Sequence, residues 1–210
     1  MTDILQGFEN ICDKDILQTN LTSMALFIGI YEHLEDTVLE HVEAFLCEEA
    51  HVIEKGKWKF KHSEEYIERI KKRIVDEQGN KNELKATMLW FADEGAITQD
   101  DYATFLKLKA LRHSFAHEMT KHIWEGLREE NALAIVQLME LYRKIEKWWI
   151  NEIEIPTTKD FPLDDYDREG VTSTALFTFE MMFNVLYADK SEEYLALIRD
   201  LRKDDKEVHL

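Results

Sequence analysis

The stretch with the clearest chemical potential is residues 112–117, which read RHSFAH. On a helix, His113 and His117 are four residues apart and share a face, and Ser114 is also a neighbour of His117. Arg112 lies about 140° round the helix from His117, but its long side chain can reach toward the same edge. Imidazoles transfer protons near neutral pH, and a guanidinium donates paired hydrogen bonds to phosphate oxygens.

Metal-independent RNA cleavage requires these groups. A base must deprotonate the ribose 2′-OH, an acid must protonate the leaving 5′-oxygen, and positive charge must stabilise the crowded phosphorane. One helix supplies only half of such a site. Two packed copies would bring two Arg112 and two His117 side chains into one cleft, so the sequence predicts a homodimer.

The elements that must position these residues are predicted to be helices, because apolar residues recur every three or four positions. Only 7 Gly and 2 Pro interrupt the 210 residues. Thr98 begins the sequence TQDD, which resembles a capping box, and starts the helix that carries residues 112–117. The predicted helices cover residues 16–54, 64–76, 83–92, 98–124, 131–155, 173–188 and 191–203, and the fold class is therefore all-α, a helical bundle.

The chain is predicted to form one main bundle with an appendage. Residues 1–155 form the helical bundle that carries the RHSFAH motif, and residues 156–170, which contain Pro156 and Pro162 among acids, form a connection. Residues 171–210 form a C-terminal helical hairpin packed on the bundle. Within the bundle, EKGKWKFKHS is predicted to be a loop with Ser63 capping the next helix, and EQGNKN is predicted to be a turn.

Charge is unevenly distributed along this acidic chain, whose net charge is −17. Residues 55–73 contain eight bases and three acids, and residues 107–128 contain five bases and two acids plus three histidines. Basic charge attracts phosphate backbones, and the second of these segments holds the motif. Charge runs are also typical of solvated helix faces, and this interpretation stays open for the first segment.

Cofactors and membranes are not expected. The two cysteines have no CxxC or zinc-site context and indicate reduced thiols in the cytoplasm. No signal peptide is expected at the N-terminus, and the apolar run Met24–Tyr31 is too short to span a membrane. The absence of a glycine-rich phosphate loop argues against a nucleotide-hydrolysing domain.

The motif resembles that of the HEPN superfamily, helical bundles found in prokaryotic toxins, abortive-infection proteins and CRISPR-associated ribonucleases. Arg112, His113 and His117 match the R-x4–6-H signature, and Ala116 also looks like the family. The resemblance implies a HEPN-like fold, metal-independent endoribonuclease activity and a dimer with facing motifs. Toxins of this family that are silenced by nucleotide attachment carry a tyrosine two residues after the histidine, where this chain has Met119.

On this basis the protein is predicted to be a HEPN-type toxin or phage-defence effector that cleaves RNA. Its partners would be an RNA substrate, a second copy and an antitoxin or operon partner protein, with no membrane and no cofactor. The residues predicted to form the site are the catalytic Arg112, His117 and His113 and the substrate-binding Ser114, Lys109 and Lys121.

Other interpretations of the same residues stay open. A non-catalytic interaction or regulatory module of a defence or toxin–antitoxin system would have the same fold. His113 and His117 have the spacing of two metal ligands on a helix, and together with His122 they could also be ordinary surface residues. In KWKFK, Trp58 or Phe60 could stack on a base or simply cover apolar surface.

Overall fold

The computed structural model describes residues 4–52, 58–73, 82–159, 161 and 166–208. Over this part of the chain the protein is predominantly helical with one small β-hairpin, so the predicted all-α class is confirmed. The helices, in chain order, are α1 (Ile4–Cys12), α2 (Lys14–Phe45), α3 (Glu64–Tyr66), α4 (Glu83–Asp93), α5 (Gln99–His117), α6 (Met119–Glu125), α7 (Glu129–Trp149), α8 (Ile155–Thr157), α9 (Thr174–Tyr187) and α10 (Ser191–Val208).

Helix α2 is the central element of the bundle, and α4, α5 and α7 pack around it. Its carboxylate cap is Asp13, which accepts hydrogen bonds from the backbone N–H groups of Asp15 at 2.9 Å and Ile16 at 3.0 Å. The predicted apolar face is buried, since helical spacing places its large side chains on one side. The fully buried members of this face include Met24, Phe27, Ile30, Leu34, Val38 and Val42.

The predicted end of α2 at residue 54 is wrong, because the helix stops at Phe45 and a strand follows. Strand β1 (Cys47–Val52) pairs antiparallel with β2 (Trp58–His62), and Ala50 lies opposite Phe60. The loop prediction for KWKFK is therefore also wrong from Trp58 onward. The alternation of lysine and aromatic residues has the period of two that is typical of a strand. Lys55 and Lys57 lie outside the described residues.

The remaining boundaries follow local chemistry. Ser63 caps α3 by accepting the backbone N–H of Tyr66 at 3.0 Å, as predicted, and the helix continues with a wider turn at Ile67–Lys71. Gly95 has a φ of 82° and follows α4, which glycine adopts without the steric cost of a side chain. The predicted EQGNKN turn lies outside the described residues except for Asn82, which caps α4.

Helix α7 continues through a wider turn at Ile150–Glu154 into α8, which agrees with the predicted helix over residues 131–155. The two C-terminal helices are present as predicted, and α9 packs on α7. Arg143 of α7 donates to Glu180 of α9, and the Tyr187 and Ser23 hydroxyls lie 2.7 Å apart. Part of the predicted connection, including Pro162, lies outside the described residues. None of the described helices combines the length and hydropathy needed to cross a lipid bilayer.

Candidate functional site

Helix α5 positions the motif. The sequence predicts the start of this helix correctly but not its end. At its start the capping box is confirmed: the Thr98 hydroxyl accepts the Asp101 N–H at 3.1 Å, and the Asp101 carboxylate accepts the Thr98 N–H at 2.9 Å. At its end the prediction of a continuous helix to residue 124 is wrong. The helix is interrupted at Glu118, where φ is −119° and ψ is 26°, and α6 begins at the next residue.

Three buried side chains fix the rotation of α5 about its own axis. Phe105, Leu108 and Phe115 enter the core, and burying each contributes about 1.5–3 kcal/mol. The Phe115 ring meets that of Phe27 edge to face at 5.3 Å. Since Phe115 points into the core, its neighbours in residues 112–117 must lie on the flanks and outer side of the helix. His113 and His117 are accordingly exposed.

Arg112 is directed across the bundle to α2. Its Nε donates to Glu32 Oε1 at 2.6 Å, and its Nη2 donates to the same oxygen. The Arg112 side chain retains 31% of its exposure and that of Glu32 retains 46%. In this conformation the guanidinium therefore donates to a carboxylate. A phosphate oxygen would compete with Glu32 for the same N–H donors.

The two outer histidines contact each other. The ring centroids of His113 and His117 lie 4.3 Å apart, as expected for neighbours one turn apart. The other predicted residues make different contacts: the Ser114 hydroxyl lies 2.8 Å from His122 Nε2, and Lys121 Nζ donates to Glu118 Oε2 at 3.0 Å. The polar groups of Ser114 and Lys121 thus bind His122 and Glu118.

A groove runs beside Arg112 between α2, α4 and α5. It has a volume of about 570 Å³, within the range typical of small-molecule sites. Three bases and two acids give it mixed charge, and a histidine lies at its border. Its lining residues are Tyr31, Glu32, Glu35, Lys85, Leu106, Lys109, Ala110, Arg112 and His113. The structure therefore brings Lys109, Arg112 and His113 together in one concave surface.

Tyr31 contributes a buried hydroxyl to this groove. The residue is 1% exposed, and its hydroxyl is without a hydrogen-bond partner among the described residues. Burial, followed by the negative charge of Glu35, raises the pKa of Tyr31 above its ordinary value. The hydroxyl therefore stays protonated, and it lies below the accessible surface of the groove.

His122 differs from the two exposed histidines. Its ring meets Phe115 edge to face at 4.9 Å, and the Ser114 hydroxyl is bound to its Nε2. Burial, followed by the positive charge of Lys121, lowers the pKa of His122. It is consequently neutral near pH 7 and joins α6 to α5, which is a structural contribution.

Glu32, Glu35, Tyr31 and Lys85 were not expected from the sequence. Tyr31 ends the apolar run of α2, and Glu32 and Glu35 follow it in the segment YEHLED. This group of polar residues is the signal in the sequence that could have indicated a site on α2. Their approach to Arg112 depends on the packing of α2 on α5, which no local pattern specifies. Sequence reasoning could not have identified the ion pair.

The chemistry available at this surface is anion binding and proton transfer. Within the described ranges, no three His, Cys, Asp or Glu side chains are grouped so that they could hold a metal ion. Comparison with protein-family models, with curated proteins and with solved structures found no match to this chain. A function must therefore be inferred from the residues and their geometry.

Proposed function

We propose that this protein is a cytoplasmic, metal-independent endoribonuclease of HEPN type that acts as a homodimer in phage defence or toxin–antitoxin control. The observation that supports this most is the position of Lys109, Arg112 and His113 on one groove, with the His117 ring tilted against that of His113 at 4.3 Å between centroids. Cations for a phosphodiester and imidazoles for proton transfer thus lie within two turns of one helix.

The reaction would use the ribose 2′-OH as the nucleophile. One imidazole removes its proton as the oxygen attacks phosphorus, and a second imidazole protonates the 5′-oxygen as the P–O5′ bond breaks. The products are a 2′,3′-cyclic phosphate and a 5′-hydroxyl. Arg112 would stabilise the charge of the phosphorane, while Lys109 and Lys121 steer the backbone and Ser114 helps to position the motif.

Glu32 must release Arg112 before a phosphate can bind to it. The ion pair is partly exposed, at 31% and 46%, and such pairs contribute only about 0–1 kcal/mol. A phosphodiester that offers two oxygens to the guanidinium can replace a carboxylate at this cost. The pair therefore lowers the affinity of Arg112 for phosphate only slightly and does not prevent RNA binding.

The alternative is a non-catalytic HEPN-like module that binds a partner protein in a defence or toxin–antitoxin system. The same ion pair favours this function, since Arg112 already has an anionic partner within its own chain. The net charge of −17 also opposes RNA binding at long range. In this case Arg112 would stabilise the contact between α2 and α5 without contacting substrate.

Cleavage of single-stranded and tRNA-like RNA by purified protein in EDTA separates the two functions. We expect chelator-resistant cleavage, reduced about 10²–10³-fold in Arg112→Ala because one phosphate-stabilising donor group is lost. Arg143→Ala is the matched control: Arg143 also donates from Nε and Nη2 to one carboxylate oxygen, at 3.0 and 2.6 Å, but on α7 and α9. Equal activity of the two variants, or no cleavage by the wild type, would refute the nuclease.

A further inference from the structure

The groove beside Arg112 has two different ends, because α2 and α5 run past each other in opposite directions. Phe27 packs on Phe115, whereas Glu32, which comes later on α2, pairs with Arg112, which comes earlier on α5. Glu35 also lines the groove, and three residues after Glu32 it lies about 4.5 Å farther along the axis of α2. One end of the groove is therefore at the motif, and the other is at Glu35. We refer to the second as the Glu35 end.

The Glu35 end contains a carboxylate and an ammonium group that are left unpaired. Glu35 of α2 and Lys85 of α4 are both half-buried and line the groove. Among the described residues, neither side chain has an ion-pair partner. Helix α4 packs near the C-terminal part of α2, where Trp90 contacts Phe45 at 6.1 Å between ring centroids, so Lys85 enters the groove from this end. Charges that are partly withdrawn from water gain from a partner, and a ligand can supply it.

An apolar strip of α5 lies at the same end. Leu106 and Ala110 are four residues apart, so they share a helical face, and both line the groove. They precede Arg112 on α5 and therefore lie toward the Glu35 end. A flat ring can cover this strip, while the His113 ring at the border of the groove can stack on it. The surface thus combines apolar contact for a planar group with one acceptor and one donor at its edge.

We propose that the Glu35 end binds the guanine base of the nucleotide whose 3′-phosphate lies on Arg112. The Watson–Crick edge of guanine has two adjacent donors, N1–H and the N2 amino group, which match the two oxygens of a carboxylate. Its O6 accepts a hydrogen bond from an ammonium group such as that of Lys85. This assignment rests on the proposed function, because it takes the phosphate of the substrate to lie at the motif end.

The other three bases fit Glu35 less well. Adenine and cytosine each have a single amino group beside an acceptor nitrogen, and uracil has one N–H between two carbonyl groups. Each would therefore place an acceptor against a carboxylate oxygen, and the two would repel. Because the 2′-OH of the bound nucleotide attacks the phosphate, RNA would be cleaved on the 3′ side of guanosine.

Calorimetric titration of the full chain with 3′-GMP, 3′-AMP, 3′-CMP and 3′-UMP tests the base site without requiring cleavage. We expect 3′-GMP to bind at least fivefold more tightly than each of the others, since a bidentate contact to a base edge discriminates roughly 5–150-fold. Glu35→Gln should abolish this preference, because one of the two acceptor oxygens becomes an amide donor. Lys85→Met should weaken 3′-GMP binding but keep part of the preference, and it repeats the test if Glu35→Gln fails to fold.

Glu40→Gln is the matched control. It is the same substitution on the same helix, at an exposed position that does not line the groove, and it should bind the four nucleotides as the wild type does. The base site would be refuted by equal binding of all four nucleotides, by binding of none, or by a guanine preference that survives in Glu35→Gln. A loss in Glu40→Gln as large as in Glu35→Gln would also refute it.

Cleavage of an oligoribonucleotide that contains one guanosine keeps the base site and the nuclease distinct. Guanine preference in nucleotide binding that Glu35→Gln abolishes, in a protein that cleaves no RNA, supports the base site and refutes the nuclease. Cleavage at every linkage without preference for guanosine refutes the base site and leaves the nuclease standing. Cleavage directly after the guanosine, lost or redistributed in Glu35→Gln, supports both.

Discussion

The two basic segments, residues 55–73 and 107–128, both have more bases than acids, but their side chains have different surroundings in the fold. Most described bases of the first segment are neutralised by carboxylates, many of them on α4 and its neighbours. These pairs are Lys61–Glu48, Arg69–Glu65, Arg69–Glu94, Lys71–Glu83, Lys72–Glu68 and Arg73–Asp93. In the second segment Arg112, Lys121 and Arg128 are also paired, with Glu32, Glu118 and Glu125, but Lys109 and Arg112 in addition line a groove.

The histidines of the two segments differ in the same way. His62 lies 2.6 Å from Glu43 and stacks on Tyr66 with ring centroids 4.2 Å apart. His113 and His117 are exposed and contact each other. A proton-transferring group must reach its substrate, so the second segment meets this requirement and the first does not. Local charge alone does not distinguish them, because both segments carry an excess of bases and the difference lies in the exposure of their histidines.

The largest expected contrast is between His117→Ala and His62→Ala. Loss of a general acid or base should lower kcat/KM for RNA cleavage about 10²–10⁴-fold in His117→Ala, whereas His62→Ala should stay within about twofold of wild type. Thermal unfolding of both variants checks that the proteins are folded. Comparable losses of activity would show that the two segments are functionally equivalent.

A smaller contrast concerns the carboxylates that hold the arginines. Glu32→Gln removes the charge that occupies Arg112, and because an exposed pair contributes at most about 1 kcal/mol, RNA should bind up to about fivefold more tightly. Glu94→Gln removes one of the two carboxylates that hold Arg69 of the first segment and should leave RNA affinity unchanged. Fluorescence anisotropy with a labelled RNA measures both. Weaker binding by Glu32→Gln would mean that Glu32 holds Arg112 in its binding position.

The smallest expected effect concerns the pH dependence of stability due to His122, which differs in its surroundings from the exposed His113 and His117 of the same segment. Burial lowers the pKa of His122 in the folded protein, so the unfolded chain binds a proton more readily. Stability should therefore be constant above about pH 6.5, the ordinary histidine pKa, and decline as the pH falls below it. Urea unfolding at pH 7.5 and pH 5.5 should show a smaller decline in His122→Gln; identical declines would contradict a neutral, half-buried His122.

The helices were largely predictable, whereas part of the site was not. Helix α5 begins directly after Thr98 because its capping box is encoded within four residues, and α2 follows from one long apolar period. The paired strands Cys47–Val52 and Trp58–His62 differ from the predicted helix end and loop, because strand pairing depends on a partner segment that the local pattern does not specify. The break at Glu118 was missed because the next residues are equally able to continue a helix.

The sequence by itself determined an acidic all-α chain and a helix with Arg112, His113 and His117 at reactive spacing, since these depend on short-range periodicity and capping. Tertiary structure alone decided that Glu32 and Tyr31 join Arg112, and that Glu35 and Lys85 line the same groove. Both depend on the packing of residues far apart in the chain, such as Arg112 with Glu32. The local sequence does not specify which distant residues will pack against it.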